Sequence, residues 1–441
     1  MKKLLKKVIP VKLFKAIEPT GHMLEAMVAS SRYGFPARKL HVIGVTGTNG
    51  KTTTSFMIHR MLREAGYNVA LMTTVAYGLN DDIKPQIHHM TTLSSPDLNK
   101  RIRDLRDAGA EWLVLETTSH ALAQHRVWGV PYEIAVMTNV THEHLDYHGT
   151  FENYRDAKKK MFTLAAKHPH GFGIINDDDP SAQSFIEAIP QYATYGIAKG
   201  DIRAVDVTLS PNGSDYTAEA GDDIYHIHCN IPGEFNVSNS LAALAVGRHI
   251  GLNPTQIEQG IAALQGVDGR MDTIDEGQDF GVIVDYAHTP DSFEKLLGDL
   301  RKSTKGKLIA VFGSAGRRDE SKRWTQGEIA GKYCDELVLT EEDDRDIDGN
   351  LILGQIAEGA ERSGKTKDKD MFLILDRPEA IKFAMTRASS KDDVVILLGK
   401  GHEKTIERAI GSGGTKDPDN PWEEHNWDEL EEARRAIRVS T

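Results

Sequence analysis

One stretch constrains this chain more than any other. Residues 41–55 run His-Val-Ile-Gly-Val-Thr-Gly-Thr-Asn-Gly-Lys-Thr-Thr-Thr-Ser. An apolar run ends in a glycine-rich turn, then Lys51-Thr52, then a helical pattern at Phe56, Met57, Ile58, Met61 and Leu62. That order reads as strand, phosphate loop and helix. Glycines let backbone N–H groups crowd a phosphate, and the start of a helix adds positive potential. In such a loop Lys51 reaches the outer phosphates of a nucleotide and the Thr52 hydroxyl binds Mg²⁺. The strict pattern asks for an earlier glycine, and Val45 stands in its place. An ordinary βα turn is the alternative, but it has no use for Gly-Lys-Thr at the mouth of a helix.

Strands and helices alternate on both sides of a boundary near Gly269-Arg270-Met271. Before it, short apolar runs fall at Val69–Met72, Trp112–Leu115, Ile134–Met137 and Gly173–Ile175. After it they fall at Val282–Asp285, Leu308–Phe312, Glu336–Leu339 and Val394–Leu398. Helical stretches between such runs predict βαβ units and mostly parallel sheets. The expected fold class is α/β, a central phosphate-loop ATPase domain followed by a C-terminal Rossmann-like domain. The expected division is 1–39 as a short N-terminal segment, 40–268 as the ATP-binding domain and 269–441 as the C-terminal domain. A length of 441 residues agrees with a prior of about three domains. Residues 18–39 read as a helix and a turn at Gly34-Phe35-Pro36. Residues 411–426 read as a loop before a last helix, Asp428–Ile437.

Composition removes several function classes. The net charge of −12 argues against a nucleic-acid surface. Cys229 and Cys334 are the two cysteines, too few for a disulfide framework or a cysteine zinc site. No apolar run reaches the ~18 residues of a membrane span, and no signal peptide is evident. The expectation is a cytoplasmic, monomeric enzyme acting on small molecules. Residues 1–17 mix six lysines with apolar residues. Such a segment suits weak contact with an anionic membrane surface; an arm packing its apolar side on the body is the plainer reading.

Three further stretches carry chemistry. Glu116 ends the run Leu113-Val114-Leu115, where a Mg²⁺ ligand belongs in a phosphate-loop enzyme. Ser119, His120, Gln124 and Arg126 follow it. Residues 138–148 end another run with Asn139, His142, Glu143, His144 and His148. Three histidines there raise zinc as an alternative, whereas a phosphate loop implies Mg²⁺, which prefers oxygen. Glu341-Glu342-Asp343-Asp344-Arg345-Asp346 follows the run Leu337-Val338-Leu339, at a strand end where ligand sites form in such sheets. Carboxylates there attract an ammonium, and Arg345 can pair a carboxylate bidentately. A solvated acidic loop is the alternative.

Gly47-Thr48-Asn49-Gly50-Lys51-Thr52-Thr53 resembles the signature of the Mur ligases, amide-forming enzymes of peptidoglycan synthesis. Residues 119–127, 144–150, 233–239, 269–271, 285–291 and 399–403 resemble, in family order, the tripeptide-synthetase (MurE) type. The resemblance implies an ATP-dependent ligase that phosphorylates the carboxylate of a UDP-N-acetylmuramoyl dipeptide and lets an amine attack the acyl phosphate. It implies that Lys51, Glu116, His144 and Lys158 serve catalysis, with Thr52, Glu116, His144 and a carbamylated Lys158 holding two Mg²⁺. Asn236, Arg270 and Asp285 then join the loop in binding ATP. Thr91, Thr92, Thr118, Ser119, Gln124 and Arg126 match the muramoyl-peptide site. Arg323, Glu342, Asp343, Asp344, Arg345, Gly399 and Glu403 match the amino-acid site. Charge alone does not single out Lys158 from its basic helix.

Departures from the family are visible. About 40 residues precede the phosphate loop where the family carries a UDP-binding domain, so UDP is expected to add little affinity. The family's Asp-Asn-Pro-Arg reads Glu342-Asp343-Asp344-Arg345. Arg317 stands where an acid is usual. Because the arginine is kept, meso-diaminopimelate is favoured over L-lysine as the added amino acid. A folylpolyglutamate-synthetase-like ligase is an alternative, although its loop resembles Gly-Lys-Gly-Ser rather than Gly-Lys-Thr-Thr. A phosphate-loop switch ATPase is another, but it needs neither the second α/β series nor Gly399–Glu403.

Overall fold

The computed structural model describes residues 11–86, 91–210, 213–410 and 421–440. The chain divides into two compact units. The first comprises Met1–Thr208, Ser214–Asn230 and Phe235–Leu264, the second Leu209–Gly213, Ile231–Glu234 and Gln265–Thr441.

In the first unit, helix α1 (Val11–Arg32) precedes strand β1 (His41–Thr46), helix α2 (Lys51–Glu64) and strands β2 (Val69–Met72), β3 (Ala76–Leu79) and β4 (Asp82–Pro85). Helix α3 (Ser95–Asp107), β5 (Trp112–Glu116), α4 (Ser119–Ala123), β6 (Tyr132–Met137), α5 (Leu145–His148) and α6 (Phe151–Ala165) follow. Strands β7 (Phe172–Asn176), β8 (Tyr192–Gly196), β9 (Ile202–Ser210), β10 (Gly213–Ala220) and β11 (Asp223–Cys229) then lead to α7 (Glu234–His249) and α8 (Pro254–Ala262). The eleven strands form one sheet in the order 11-10-9-8-7-6-1-5-2-3-4. Its middle is parallel: β1 lies between β5 and β6, with Val45 level with Glu116 and with Val136. From β1 the chain goes two places to one side, returns to fill the gap with β5, then crosses to β6. The loop after β1 therefore sits at a switch point, where the strand ends open a crevice.

Strands covered on both faces need apolar residues throughout, and every residue of β5 is buried. Val42, Leu113, Leu115, Tyr132, Ala135, Met137 and Phe162 belong to one core cluster. Truncating such a residue as Phe162 to Ala costs about 3–5 kcal/mol. Gly44 sits in the middle of β1 because α6 approaches closely: a Cβ there would lie 2.6 Å from Met161 Sδ and from the Tyr132 ring.

The second unit orders β12 (Asp272–Thr273), β13 (Gly281–Asp285), β14 (Leu308–Phe312), β15 (Glu336–Leu339), β16 (Met371–Leu373) and β17 (Val394–Leu398) as 12-13-17-14-15-16. All pairs but the first are parallel. Helices α9 (Pro290–Ser303), α10 (Ser321–Tyr333), α11 (Gly349–Arg362), α12 (Arg377–Arg387) and α13 (Glu429–Ser440) complete it, and Val284, Val311, Val395 and Ile437 share its core. The C-terminal ends of β13, β14, β15 and β17 bring together residues 285–288, 313–318, 340–345 and 399–403.

The α/β reading holds, and most strands fall where the apolar runs lie. Two hairpin-like additions do not announce themselves by apolar runs: β3–β4, and the ribbon of β18 (Thr405–Ala409) with β19 (Trp422–Asn426). The second corrects the expected loop at 411–426. Residues 411–420 lie outside the described residues, but 422–426 pair with β18 through backbone bonds that need no apolar pattern. Of the basic segment 1–17, residues 1–10 also lie outside the described residues; the helix begins right after Pro10. Among the described residues no helix is long and apolar enough to cross a membrane.

Candidate active site

The first cluster grows from the turn between β1 and α2. Gly47 has φ +157 and Gly50 φ +80. A Cβ on Gly47 would run into the Thr138 hydroxyl, and one on Gly50 into the Asn239 side chain. Asn139 shapes the loop: its carbonyl accepts from the Thr48 N–H at 2.8 Å and its Oδ1 from the Asn49 N–H at 2.9 Å. Thr138 and Asn139 donate to the Asn49 carbonyl at 2.6 and 3.1 Å. Helix α2 starts at Lys51 with no acid in its first turn, so its leading N–H groups face an anion unopposed. The Lys51 ammonium folds back onto the Thr48 carbonyl at 2.7 Å. Thr53 is buried beside it.

Glu116 is buried at the end of β5. Its carboxylate accepts from the Thr52 hydroxyl at 2.9 Å, from the Thr74 N–H at 2.9 Å and from the Thr74 hydroxyl at 3.0 Å. Lys158 of α6 is fully buried, donates to the Gly47 carbonyl at 2.5 Å and lies 4.4 Å from the Tyr154 ring centroid. Burial first, then the nearby Lys51 charge, hold its pKa well below the ordinary lysine value. Tyr154 also meets the Thr48 hydroxyl at 3.1 Å. His144 (φ +55) sits 3.8 Å from Glu143. Its ring lies 4.7 Å from that of His120 and 6.0 Å from that of Tyr154. Burial, then His144 and His148, depress His120 to about 3. These rings meet edge to face; among the described residues no three His, Cys, Asp or Glu groups stand as a metal cage.

A polar chain extends the cluster. Thr92 donates to the Glu116 carbonyl at 3.0 Å and accepts from the Thr118 N–H at 3.1 Å. The Thr91 and Thr74 hydroxyls lie 3.0 Å apart, within hydrogen-bond distance. Thr118 caps α4 through the Ala121 N–H, and Ser119 meets His148 Nε2 at 3.0 Å. Arg126 donates to Gln124 Oε1 at 2.8 Å and to the Thr92 carbonyl at 2.9 Å. Asn236 in α7 accepts from Asn239 at 2.9 Å, and Asn239 accepts from Thr54 of α2 at 3.2 Å. Every expected residue of the first unit is thus tied to this network or borders it. Sequence reasoning missed Thr74, Asn139, Tyr154 and Asn239. Asn139 and Asn239 lay in stretches already singled out, without a role of their own; Thr74 and Tyr154 had no signal short of the fold.

The second unit holds a separate cluster. Asp285 is buried and raised by burial, with Arg270 opposing the shift. Its oxygens accept from the Met271 N–H at 2.8 Å and the Ala287 N–H at 2.7 Å, so it ties the turn at 269–271 to β13. Arg270 lies 4.5 Å over the Tyr286 ring. Arg323, fully buried in α10, donates to Gln355 Oε1 at 2.6 Å while its Nε has no partner. Lys400 bridges Asp343 at 2.8 Å and Glu403 at 2.6 Å. Burial pulls Lys400 down, but Glu403 and Asp343 outweigh it and hold the ammonium above its usual value. Burial, then three neighbouring acids, raise Asp344 to about 7. The Glu342 carboxylate lies where a Cβ on Gly399 (φ +99) would be. Arg345, expected to meet a carboxylate of a ligand, donates instead to Glu407 at 2.5 Å and to the Gly316 carbonyl at 2.6 Å. The acidic stretch is no solvated loop: Glu341, Glu342 and Asp344 are all buried.

Two family descriptions match the chain: "Mur ligase middle domain" over residues 45–247 and "Mur ligase, glutamate ligase domain" over residues 269–401. The UDP-N-acetylmuramyl-tripeptide synthetase of Roseiflexus sp. (strain RS-1) is 40% identical over 436 residues, 95% of this chain and 82% of that protein. The UDP-N-acetylmuramoyl-L-alanyl-D-glutamate–2,6-diaminopimelate ligase of Syntrophomonas wolfei is 39% identical, over 86% of this chain and 76% of that one. A solved structure of a ligase with that same name aligns at TM-score 0.63 and 30% identity, covering 96% and 83%. A folylpolyglutamate synthase of Mycobacterium tuberculosis aligns at TM-score 0.71 and 16% identity, covering 86% and 92%, a likeness of fold.

Proposed function

The chain belongs to the Mur ligase family, and from that premise we propose that it is an ATP-dependent ligase of the tripeptide-forming type. It adds a diamino acid to UDP-N-acetylmuramoyl-L-alanyl-D-glutamate in peptidoglycan synthesis. The observation that carries the reading is the join of Lys51, Thr52, Glu116 and buried Lys158 around one glycine turn at a sheet switch point. We take residues 40–268 as the ATP-binding domain, residues 269–441 as the amino-acid domain, and the cytoplasm as its place of work.

ATP supplies the phosphoryl group that turns the dipeptide's carboxylate into an acyl phosphate, the electrophile for the amine. The first turn of α2 and the glycine loop hold the nucleotide phosphates, and Lys51 leaves the Thr48 carbonyl for them. Mg²⁺ fits this site by its donor set: a buried hydroxyl and a buried carboxylate, both hard oxygens, at a helix N-terminus. Among the described residues no cation pairs with Glu116 within ion-pair distance. Thr52, Glu116 and His144 would hold the ion, and it would offset phosphate charge. Lys158 suits carbamylation because burial and the nearby Lys51 charge disfavour its charged form. The amine forms an N–C bond to carbon dioxide and loses a proton, which replaces a cation with an oxygen ligand. Thr91, Thr92, Thr118, Ser119, Gln124 and Arg126 orient the muramoyl peptide. Arg323, Glu342, Asp343, Asp344, Gly399 and Glu403 receive the amino acid. Relatives named for diaminopimelate and those named only as tripeptide synthetases are equally similar, at 39% and 40%, so identity does not choose the amino acid.

The test is ADP release by the full chain with each substrate left out in turn. A ligase needs both the muramoyl dipeptide and a diamino acid for full turnover. Equal ATP hydrolysis with neither present would make the protein a phosphate-loop switch instead.

A further inference from the structure

The amino-acid cluster of the second unit is charged by its own residues, and the balance is not zero. Glu341 is matched by Arg408. Glu407 is matched by Arg345 at 2.5 Å. Lys400 serves both Asp343 and Glu403. Arg377 is consumed by Glu429. Among the described residues, Glu342, Asp344 and one of the Asp343–Glu403 pair have no cation of their own within ion-pair distance. Glu342 and Asp344 are buried, Asp343 and Glu403 are half-buried, and the neighbouring acid charges add to burial in raising Asp344 and Glu403.

Glu407 lies outside every motif noted above. It sits in β18, which bridges to the acidic stretch at Arg345. The Arg345 N–H donates to the Glu407 carbonyl at 3.1 Å, and the Glu407 N–H donates to Asp343 Oδ1 at 2.9 Å. Arg345 itself has φ +58. The two backbones therefore clip together, and the clip delivers the Glu407 carboxylate onto the Arg345 guanidinium. The guanidinium's Nη1 is spent on Gly316.

We propose that Glu407 sets the amino-acid selectivity: by neutralising Arg345 it leaves a net-negative cluster fitted to a diamino acid whose side chain ends in an ammonium alone. L-Lysine and L-ornithine are of that class, and an amino acid with a second, distal carboxylate is not. A distal ammonium entering here gains carboxylate acceptors that otherwise repel one another. A distal carboxylate meets the same acids and finds Arg345 taken, with Arg323 serving the α-carboxylate that every amino acid carries, so its desolvation goes uncompensated. This reverses the preference for meso-diaminopimelate expected from the retained arginine. Glu407 acts through Arg345 and is a positioning residue. The inference rests on the ligase reading.

The test compares kcat/KM for L-lysine and meso-diaminopimelate in the full-length protein and in Glu407→Gln and Glu407→Asp, with ATP and the muramoyl dipeptide saturating. The native protein should favour lysine by about tenfold or more. Glu407→Gln, which keeps the shape and removes the charge, should shift that ratio toward diaminopimelate by about tenfold through KM, with kcat for lysine within about threefold. Glu407→Asp should retain the native preference, and if the Gln variant misfolds, Glu407→Ala takes its place and should shift the ratio the same way. A native protein that favours diaminopimelate overturns the proposal, as does a Gln variant that weakens both substrates equally. ADP release with neither amino acid fails the ligase reading itself, and the inference with it.

Discussion

At the residue scale, burial without a matching charge decides what the key groups can do. Lys158 is the clearest case, since an ammonium among Gly47, Tyr154 and Lys51 is costly and a neutral amine is not. Lys158→Ala should lower ligation by about 10²-fold or more while thermal unfolding and far-UV circular dichroism stay near native. Turnover close to native would remove Lys158 from the chemistry. His59 gives a pH prediction away from the site. Burial depresses it from 6.5 to about 4, its ring meeting the Val69 carbonyl at 3.2 Å. Between these values the unfolded chain holds a proton that the folded one does not. Stability is therefore present above pH 6.5 and is lost as pH falls toward 4, by about 3 kcal/mol in all. Melting curves of native protein and His59→Gln at pH 7 and 4.5 should show the native protein losing more. Equal losses would mean that His59 does not titrate this way.

At the element scale, the β1–loop–α2 unit depends on a backbone that a side chain would block. Gly50 caps α2 with φ +80, and a Cβ there meets Asn239. Gly50→Ala should weaken ADP binding about tenfold or more, since both strain and a clash move the loop amides. Calorimetric titration measures it, and affinity within twofold of native would mean that the loop has slack. The strand–loop–helix order, the parallel core strands and the acids after β15 were all legible, because each is written in contiguous residues. The β18–β19 ribbon was not. Its pairing comes from backbone bonds between segments with little apolar character, and Ile406 alone in β18 is fully buried.

At the scale of the whole molecule, each unit carries one half of the proposed reaction. Lys51→Ala should slow ADP formation by about 10²-fold whichever amino acid is present. Arg323→Lys should raise KM for the amino acid about tenfold or more, because an ammonium cannot reproduce the guanidinium fork. It should leave KM for ATP within about threefold. Steady-state kinetics varying one substrate at a time separates the two. If Arg323→Lys changed both constants alike, the division of labour would fail.

What the sequence determined by itself is the local chemistry. Gly47–Thr53 needs only neighbouring residues to make a phosphate loop, and short buried strands need only their own apolar side chains. The tertiary structure decided which charges remain available. Arg345 read as a free fork from its motif, but Glu407 lies 62 positions away and reaches it only because β18 bridges back onto the acidic stretch. Lys158 was one lysine among three in a row until α6 sealed it beneath Gly47. Charge pairing and desolvation act through space across such distances, whereas a motif reports only what is adjacent along the chain.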